Sequence, residues 1–277
     1  MERLSRKITI IDAKNQTLLE SLKELWQYRE LLYMLSLRRI SVRYKQTVIG
    51  VVWVLLQPLM AMTIFSIIFG KLAKLPSDGI PYPLFAYSAL VIWGLFSEGV
   101  TRSGSSLLQD AQLITKVYFP RLIIPLSAVV SACIDFVISL FLLLPLSYFY
   151  GLRPTWSLLL IPLVMLMTII LASGIGMILG SLSVRYRDFQ HIVPFLMQVW
   201  LYCSPVVFSL EIVPRSLLFW FYLNPMTGLI NLFRFAVTGE TVFNLNGIIW
   251  SMSVSCLIFL LGTIVFRSVE DSFADFI

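Results

Sequence analysis

Long apolar stretches dominate this chain from Val48 onward. Six of them reach the length of about 20 residues that a helix needs to cross the hydrocarbon core of a membrane. They cover residues 48–71, 84–107, 119–150, 156–182, 190–210 and 246–266. Glu98 and Arg102 interrupt the second stretch, which indicates that one end of it is in contact with water. The pattern predicts an all-α integral membrane protein with six transmembrane helices.

The segment before the first span has a different pattern. Between Leu18 and Lys45, apolar residues recur at helical spacing and charged residues fill the positions between them. Such a helix suits the headgroup layer of a membrane, and packing on a soluble partner is the alternative. We therefore predict an N-terminal cytoplasmic segment with an amphipathic interface helix at 1–47 and a six-span domain at 48–277. The basic residues at the end of this helix are Arg38, Arg39, Arg43 and Lys45.

Between the fifth and sixth spans lies a stretch, residues 213–237, that is apolar but divided. Asn224-Pro225 splits it into two short segments. Twelve helical residues reach about 18 Å, which is too short to cross the hydrocarbon core. The pattern favours a re-entrant helical hairpin, in which two short helices enter the membrane and return on the same side. Irregular backbone at that depth is typical of a translocation pathway.

Composition supports the membrane assignment. Hydrophobic residues make up 58% of the 277 positions and charged residues 13%, whereas soluble proteins carry about 25% charged residues. These figures exclude both an ordinary soluble domain and a disordered chain. The net charge of +6 comes with no nucleic-acid-binding motif, so a nucleic-acid partner is not expected.

The distribution of Lys and Arg predicts the orientation. Sixteen of the 21 lie before Val48 or at span ends and loops on the same side as that segment. The other five are Lys71, Lys74, Arg153, Arg215 and Arg234. By the positive-inside rule, we expect a multi-pass protein of the plasma (inner) membrane with both termini in the cytoplasm.

The chain contains no recognisable catalytic or metal-binding motif, and no catalytic residue, metal ligand or cofactor is assigned. It has one histidine, His191, and no pair of carboxylates at helical spacing. Asp135 is the one carboxylate deep in a span, on a face that it shares with Ser127, Ser131 and Ser139. This ridge either lines a cavity or locks helix packing through a neutral, hydrogen-bonded aspartate, and the sequence leaves both readings open.

Aromatic and polar residues are concentrated on the first and fifth spans and in the stretch after the fifth. They form either an interfacial aromatic belt or platforms that stack on sugar rings. The candidates for a substrate pathway are Trp53, Gln57, Gln198, Trp200, Tyr202, Phe208, Trp220 and Tyr222.

The loop between the second and third spans, residues 109–119, mixes apolar with polar residues before Pro120. A short helix here would be a docking element for a cytoplasmic partner, and an ordinary connecting loop is the alternative. The candidate docking residues are Gln109, Asp110, Ile114, Lys116 and Tyr118.

Several short strings, in this order and spacing, resemble the permease subunits of type-2 ABC exporters. The strings are Arg43-Tyr44-Lys45-Gln46-Thr47 leading to Gly50, Trp53 and Pro58; Lys116-Val117-Tyr118-Phe119-Pro120-Arg121; Tyr186-Arg187-Asp188-Phe189; Ser204-Pro205-Val206; and Asn224-Pro225-Met226. The resemblance covers nearly the whole chain. It is to the branch that exports O-antigen, capsular polysaccharide and teichoic-acid polymers.

The resemblance implies a homodimer of six-span subunits that works with two copies of a separate ABC ATPase. The ATPase would bind ATP and Mg²⁺, and this chain would be a channel-forming transport subunit rather than an enzyme. The helix at 109–119 would couple to the ATPase, the short helices at 213–237 would form an outer gate, and aromatic residues would ring the channel. The cargo would be a glycan linked to a polyprenyl diphosphate. The basic residues of the interface helix could attract that diphosphate, although the positive-inside rule explains them equally well.

Two other classes of function remain open at this stage. A secondary transporter or channel without an ATPase would need intramembrane acids, and only Asp135 is placed to relay a proton. A membrane-embedded transferase acting on polyprenyl lipids would need interfacial carboxylates to bind a metal. Glu98 and Asp110 are twelve residues apart and make a poor site of that kind.

Overall fold

The computed structural model describes residues 24–45, 50–152, 155–214, 216–239, 244–270 and 273, and these ranges form helices joined by turns. The helices are α1 Arg29–Tyr44, α2 Gly50–Phe65, α3 Tyr82–Gln109, α4 Ala111–Lys116, α5 Ile123–Phe149, α6 Ile161–Arg185, α7 Phe189–Tyr202, α8 Leu218–Leu223, α9 Pro225–Thr238 and α10 Leu245–Glu270. A π-helical segment, Ser66–Leu72, extends α2, and a 3-10 turn, Trp156–Leu160, precedes α6. The all-α class predicted from the sequence is therefore confirmed for the described residues.

Five helices in these ranges are long and apolar enough to cross a membrane. They are Gly50–Leu72, Tyr82–Gln109, Ile123–Phe149, Trp156–Arg185 and Leu245–Glu270. Each overlaps one of the six predicted spans. The prediction of six spans is not confirmed, because the fifth predicted span has no long helix.

The predicted fifth span, residues 190–210, is broken near its middle. Helix α7 ends at Tyr202 after 14 residues, which corresponds to about 21 Å of helix. Beyond it, Cys203 to Ser209 form a turn that contains Pro205. Proline lacks the N–H that a continuing helix would need, so the helix stops although the sequence stays apolar.

Helix α3 is the centre of the bundle. It is buried along most of its length and packs against α2, α5, α6, α7 and α9. Small residues allow α6 to approach it closely: a Cβ on Gly99 would lie 3.1 Å from Cβ of Ala172. Since α3 contacts nearly every neighbour, its polar residues are placed to meet partners from several helices.

Helices α6 and α10 cross with their backbones in contact. A Cβ added to Gly174 would lie 2.7 Å from the carbonyl oxygen of Ile258, a distance that real side chains do not adopt. Any residue other than glycine at this position would force the two helices apart.

Helix α2 lies at the edge of the bundle, and none of its residues is buried. Its exposed side chains include Val52, Trp53, Leu56 and Met60. An apolar surface of this extent is covered by lipid or by another subunit in a membrane protein.

The divided stretch at 213–237 forms two short helices, α8 and α9, as the sequence predicts. Asn224 separates them: its side-chain oxygen accepts a hydrogen bond from the Met226 N–H at 3.0 Å, and its amide donates to Ser204 Oγ at 2.8 Å. Gly239 ends α9 with a φ of 72°, the left-handed conformation that glycine favours at a helix C-terminus. Re-entry of this pair into the membrane stays a prediction.

Helix α1 accounts for the described part of the predicted interface helix, and residues 18–23 lie outside the described ranges. It packs on α5. Its buried Leu35 joins a hydrophobic cluster with Ile114 of α4, Phe119, Phe266 of α10 and Phe273. This cluster ties α1, α4 and the end of α10 together at one end of the bundle, which we call the α4 end.

Candidate functional site

Two carboxylates and two arginines meet between α1, α3 and α5, and we call these four residues the charge cluster. Asp135 of α5 accepts hydrogen bonds from Arg102 of α3 and from the hydroxyl of Tyr44 at the end of α1. Glu98 of α3 accepts from Arg102 Nε at 2.9 Å. Arg43 of α1 lies 3.4 Å from an oxygen of each carboxylate. The two positive and two negative charges sum to zero, which lowers the free-energy cost of placing them at low dielectric.

Helical spacing explains how the cluster assembles. Glu98 and Arg102 are four residues apart and share one face of α3. Ser131 and Asp135 are also four apart on the facing side of α5, and Arg102 Nη1 donates to Ser131 Oγ at 3.3 Å. The serine ridge predicted on this helix therefore faces α3, and Asp135 both lines a cavity and holds three helices together.

A cavity of about 250 Å³ lies between α2, α3 and α5, and we call it the aromatic cavity. Its wall includes Trp53 and Gln57 of α2, Trp93 of α3 and Phe136 and Ser139 of α5. Arg43, Glu98 and Asp135 form its charged end. Aromatic faces beside amide, hydroxyl and carboxylate groups form a lining suited to a polar, ring-containing ligand.

A second cavity of about 300 Å³ lies between α1, α3 and α5 towards the α4 end, and we call it the basic cavity. Arg38, Arg39, Arg43 and Arg102 line it together with a single carboxylate, Asp110. This excess of guanidinium groups favours an anion, and guanidinium geometry matches phosphate oxygens in particular.

Asp110 is already engaged within the basic cavity. It forms an ion pair with Arg39 and so joins the junction of α3 and α4 to α1. Burial lowers the pKa of the Arg39 guanidinium, and the charge of Asp110 opposes that shift. Among the described residues, Arg39 Nε has no hydrogen-bond partner. Lys45 is exposed and lines neither cavity.

The predicted pathway residues do not converge on one site. The structure brings Trp53 and Gln57 to the aromatic cavity. Gln198 and Tyr202 lie exposed on α7. Trp200 is half-buried and packs edge-to-face with Phe96, with the ring centroids 5.3 Å apart.

The three pathway residues after α7 lie apart from both cavities. Phe208 packs on Phe221 with ring centroids 5.6 Å apart. Trp220 is exposed. The hydroxyl of Tyr222 accepts from the Asn244 side chain at 2.9 Å.

The predicted docking segment is a shorter helix than expected, with two distinct faces. Helix α4 has six residues, and Gln109 belongs to α3. Ile114 is only 7% exposed and faces the hydrophobic cluster of its own chain, whereas Lys116 and Tyr118 point outward, Tyr118 with 60% exposure. The surface available to a partner is therefore the segment after α4 rather than Ile114.

Arg234 is a buried cation, although the distribution of Lys and Arg places it on the side of the membrane opposite the N-terminal segment. It lies on α9 and is 1% exposed, with its guanidinium 3.5 Å above the ring centroid of Phe85. Nη2 donates to the carbonyl oxygen of Val206 at 3.0 Å and so holds the turn after α7 against α3. The position of Arg234 within the apolar run Leu232-Phe233-Arg234-Phe235 is the sequence feature that indicates its burial. Arg153 and Arg215, counted on the same side, lie outside the described residues.

Comparison with known proteins gives a consistent picture. A model of the family described as "ABC-2 type transporter" matches residues 30–238. The O-antigen export system permease protein RfbA of Myxococcus xanthus is 31% identical over 258 residues, which cover 91% of this chain and 97% of that protein. The protein of the same name from Klebsiella pneumoniae is 28% identical, with 89% and 94% covered. The polysialic acid transport protein KpsM of Escherichia coli is 25% identical, with 86% and 93% covered.

Ile114→Asp should destabilise the protein itself, because the new carboxylate would be buried in the hydrophobic cluster without a partner. We expect a loss of about 3 kcal/mol in the free energy of unfolding, measured by denaturant titration of the purified protein in detergent micelles. Tyr118→Ala is the matched control in the same segment and should unfold as the wild type does. Equal stability of the two variants would show that Ile114 is not packed inside.

Asp135→Asn should leave two arginines with one carboxylate and so destabilise the contact between α1, α3 and α5. We expect a loss of about 3 kcal/mol. The double variant Asp135→Asn with Arg102→Gln removes one charge of each sign and should recover much of that loss. A single variant as stable as the wild type in the same titration would contradict the assignment of Asp135 to an ion pair.

Proposed function

The chain belongs to the ABC-2 type transporter family, and from this we propose that it is the transmembrane subunit of an ATP-driven polysaccharide exporter. The cargo would be a polyprenyl-diphosphate-linked glycan of the O-antigen or capsule type, moved from the cytoplasm across the inner membrane. The observation that carries the proposal is the alignment, over most of both chains, with relatives named for O-antigen export and polysialic acid transport.

The energy for transport would come from a partner. We propose that two copies of an ABC ATPase, which binds ATP and Mg²⁺, dock on two copies of this chain. The exposed Val117 and Tyr118 after α4 would form part of the docking surface. The Arg39–Asp110 ion pair would carry motion of α4 to the interface helix. In this arrangement both termini and the α4 end lie in the cytoplasm.

Homodimer formation would cover the apolar surface of α2. Helix α2 has no buried residue in the single chain. Helix α7, which lies beside the aromatic cavity, buries only Val193 and Met197. Two such surfaces facing each other would enclose a path between subunits. Gln198 and Tyr202, exposed on α7, would then face that path.

The two cavities suit the two chemical parts of the cargo. The basic cavity, with Arg38, Arg39 and Arg43, would attract the diphosphate through charge-assisted hydrogen bonds. The aromatic cavity, with Trp53 and Gln57, would hold a sugar ring by stacking and hydrogen bonding. If α1 lies at the membrane interface, as proposed, the basic cavity would lie at the level of the lipid headgroups.

The structure weakens the support for the other two classes of function. A proton relay through Asp135 would need a carboxylate that is free to titrate, but Asp135 pairs with Arg102 and Arg43. A transferase site built on Glu98 and Asp110 would need both carboxylates at one metal, but they pair with different arginines.

Docking on the segment after α4 can be tested by capture of the ATPase. Val117→Asp and Tyr118→Ala should each reduce by about tenfold the ATPase recovered with the tagged chain, since a central aromatic contact at an interface is worth roughly 1.4 kcal/mol or more. Arg185→Gln, a charge change in another exposed turn, is the control. Normal recovery with both variants would place the docking surface elsewhere.

Transport can be tested in cells from which the gene has been deleted. We expect loss of the polysaccharide from the cell surface and accumulation of lipid-linked polymer inside, both reversed by the wild-type gene. Trp53→Ala together with Gln57→Ala should restore the protein level but less than half of the surface polymer. Trp156→Ala, at an exposed aromatic residue away from both cavities, is the control. Surface polymer that is unchanged by the deletion would refute the proposed function.

A further inference from the structure

Members of the charge cluster line both cavities. Glu98 and Asp135 line the aromatic cavity, and Arg102 and Ser131 line the basic cavity. Arg43 alone among the four members of the charge cluster borders both. Arg43 is therefore the cluster member that the basic cavity and the aromatic cavity have in common.

The four members of the cluster are not held equally. The Arg102 side chain is 16% exposed, donates to Glu98 at 2.9 Å and also bonds Ser131 and Asp135. The Arg43 side chain is 40% exposed, and each of its contacts with Glu98 and Asp135 measures 3.4 Å. Long ion pairs at an exposed arginine contribute less free energy than short buried ones, so the contacts of Arg43 with Glu98 and Asp135 cost less to break than those of Arg102.

A phosphate-bearing ligand in the basic cavity would compete for Arg43. Arg38 and Arg39 lie on the same helix as Arg43 and line the same cavity, so an anion there meets several guanidinium groups at once. Bidentate guanidinium–phosphate contacts are shorter and stronger than the 3.4 Å contacts of Arg43 with Glu98 and Asp135.

We propose that Arg43 is a gate between the basic cavity and the aromatic cavity, and that a phosphate or diphosphate headgroup opens it by drawing the guanidinium away from Glu98 and Asp135. Once Arg43 has moved, the group attached to the phosphate can extend into the aromatic cavity beside Trp53 and Gln57. Together the cavities enclose about 550 Å³, obtained from about 250 and about 300 Å³, which lies within the range of about 300–1,000 Å³ for small-ligand sites. The identity of the attached group rests on the proposed function, and the gate itself does not.

A double-mutant cycle on the full-length chain in lipid nanodiscs tests the competition. The probes are inorganic pyrophosphate, farnesyl diphosphate and farnesol, and the measurement is the dissociation constant by calorimetry. Arg43→Gln should weaken binding of both diphosphates by about tenfold, the cost of one charge-assisted hydrogen bond. Glu98→Gln should strengthen it by about fivefold, because Arg43 is released from a competitor. In the Arg43→Gln background, the substitution Glu98→Gln should have almost no effect.

The cycle separates a gate from general electrostatics. If Glu98→Gln strengthens binding equally with and without Arg43, the effect is only the removal of a negative charge and the gate is refuted. Lys45→Gln removes a nearby positive charge that lines neither cavity, and it should leave both affinities within about twofold of the wild type. An equal loss in this variant and in Arg43→Gln would also refute the proposal.

Further arms identify the source of the phosphate and guard against misfolding. If farnesyl diphosphate binds far more tightly than pyrophosphate, the ligand is a lipid headgroup. If the two diphosphates bind equally, the ligand is a free anion. If farnesol binds as tightly as farnesyl diphosphate, a phosphate site is refuted. Arg43→Lys keeps the charge and replaces Arg43→Gln if the latter does not fold. Binding is measured without the ATPase and without transport. A negative binding result therefore does not affect the export test, and a negative export result does not affect a positive double-mutant cycle.

Discussion

Charge neutralisation in an apolar setting is the constraint on which this structure depends. An isolated carboxylate or guanidinium that is largely buried, as Asp135 and Arg102 are, costs several kcal/mol. Glu98, Arg102 and Asp135 therefore require one another, and the end of α1 completes the set with Arg43 and Tyr44. The same contacts fix α1 to the bundle, and their members line both the aromatic cavity and the basic one. A change in these few residues would alter both cavities together.

The sequence predicts those features that depend on local pattern. Five long helices follow from the length of their apolar runs, and the break at Asn224 follows from the preference of Asn and Pro for helix starts. The sequence does not predict features that depend on contacts across helices. The apolar turn from Cys203 to Ser209 has the composition of a span; Pro205 marks the break locally, but the path of the chain after it depends on contacts within the bundle.

In the candidate site, too, some features follow from local pattern and others depend on contacts across helices. Positions of Trp53, Gln57 and Asp135 on their helices could be predicted, but their meeting in one cavity depends on how α2, α3 and α5 pack. The inward face of Ile114 could not be predicted, because a six-residue helix has too few turns for a periodic pattern. The buried contacts of Arg234 could not be predicted, because its stabilising groups, the Phe85 ring and the Val206 carbonyl, come from distant parts of the chain.

The backbone contact between Gly174 and the α10 segment at Ile258 has a mechanical consequence. Two helices that touch without side chains between them cannot slide or tilt far without a clash, because packed interiors leave no free space. Helices α6 and α10 therefore act as a stationary frame, to which the central α3 is joined through Gly99 and Ala172. Helices α2 and α7, with few buried residues, are the parts that can be displaced against this frame. If the proposed ATPase acts at the α4 end, its force would therefore displace the edge of the bundle rather than the centre.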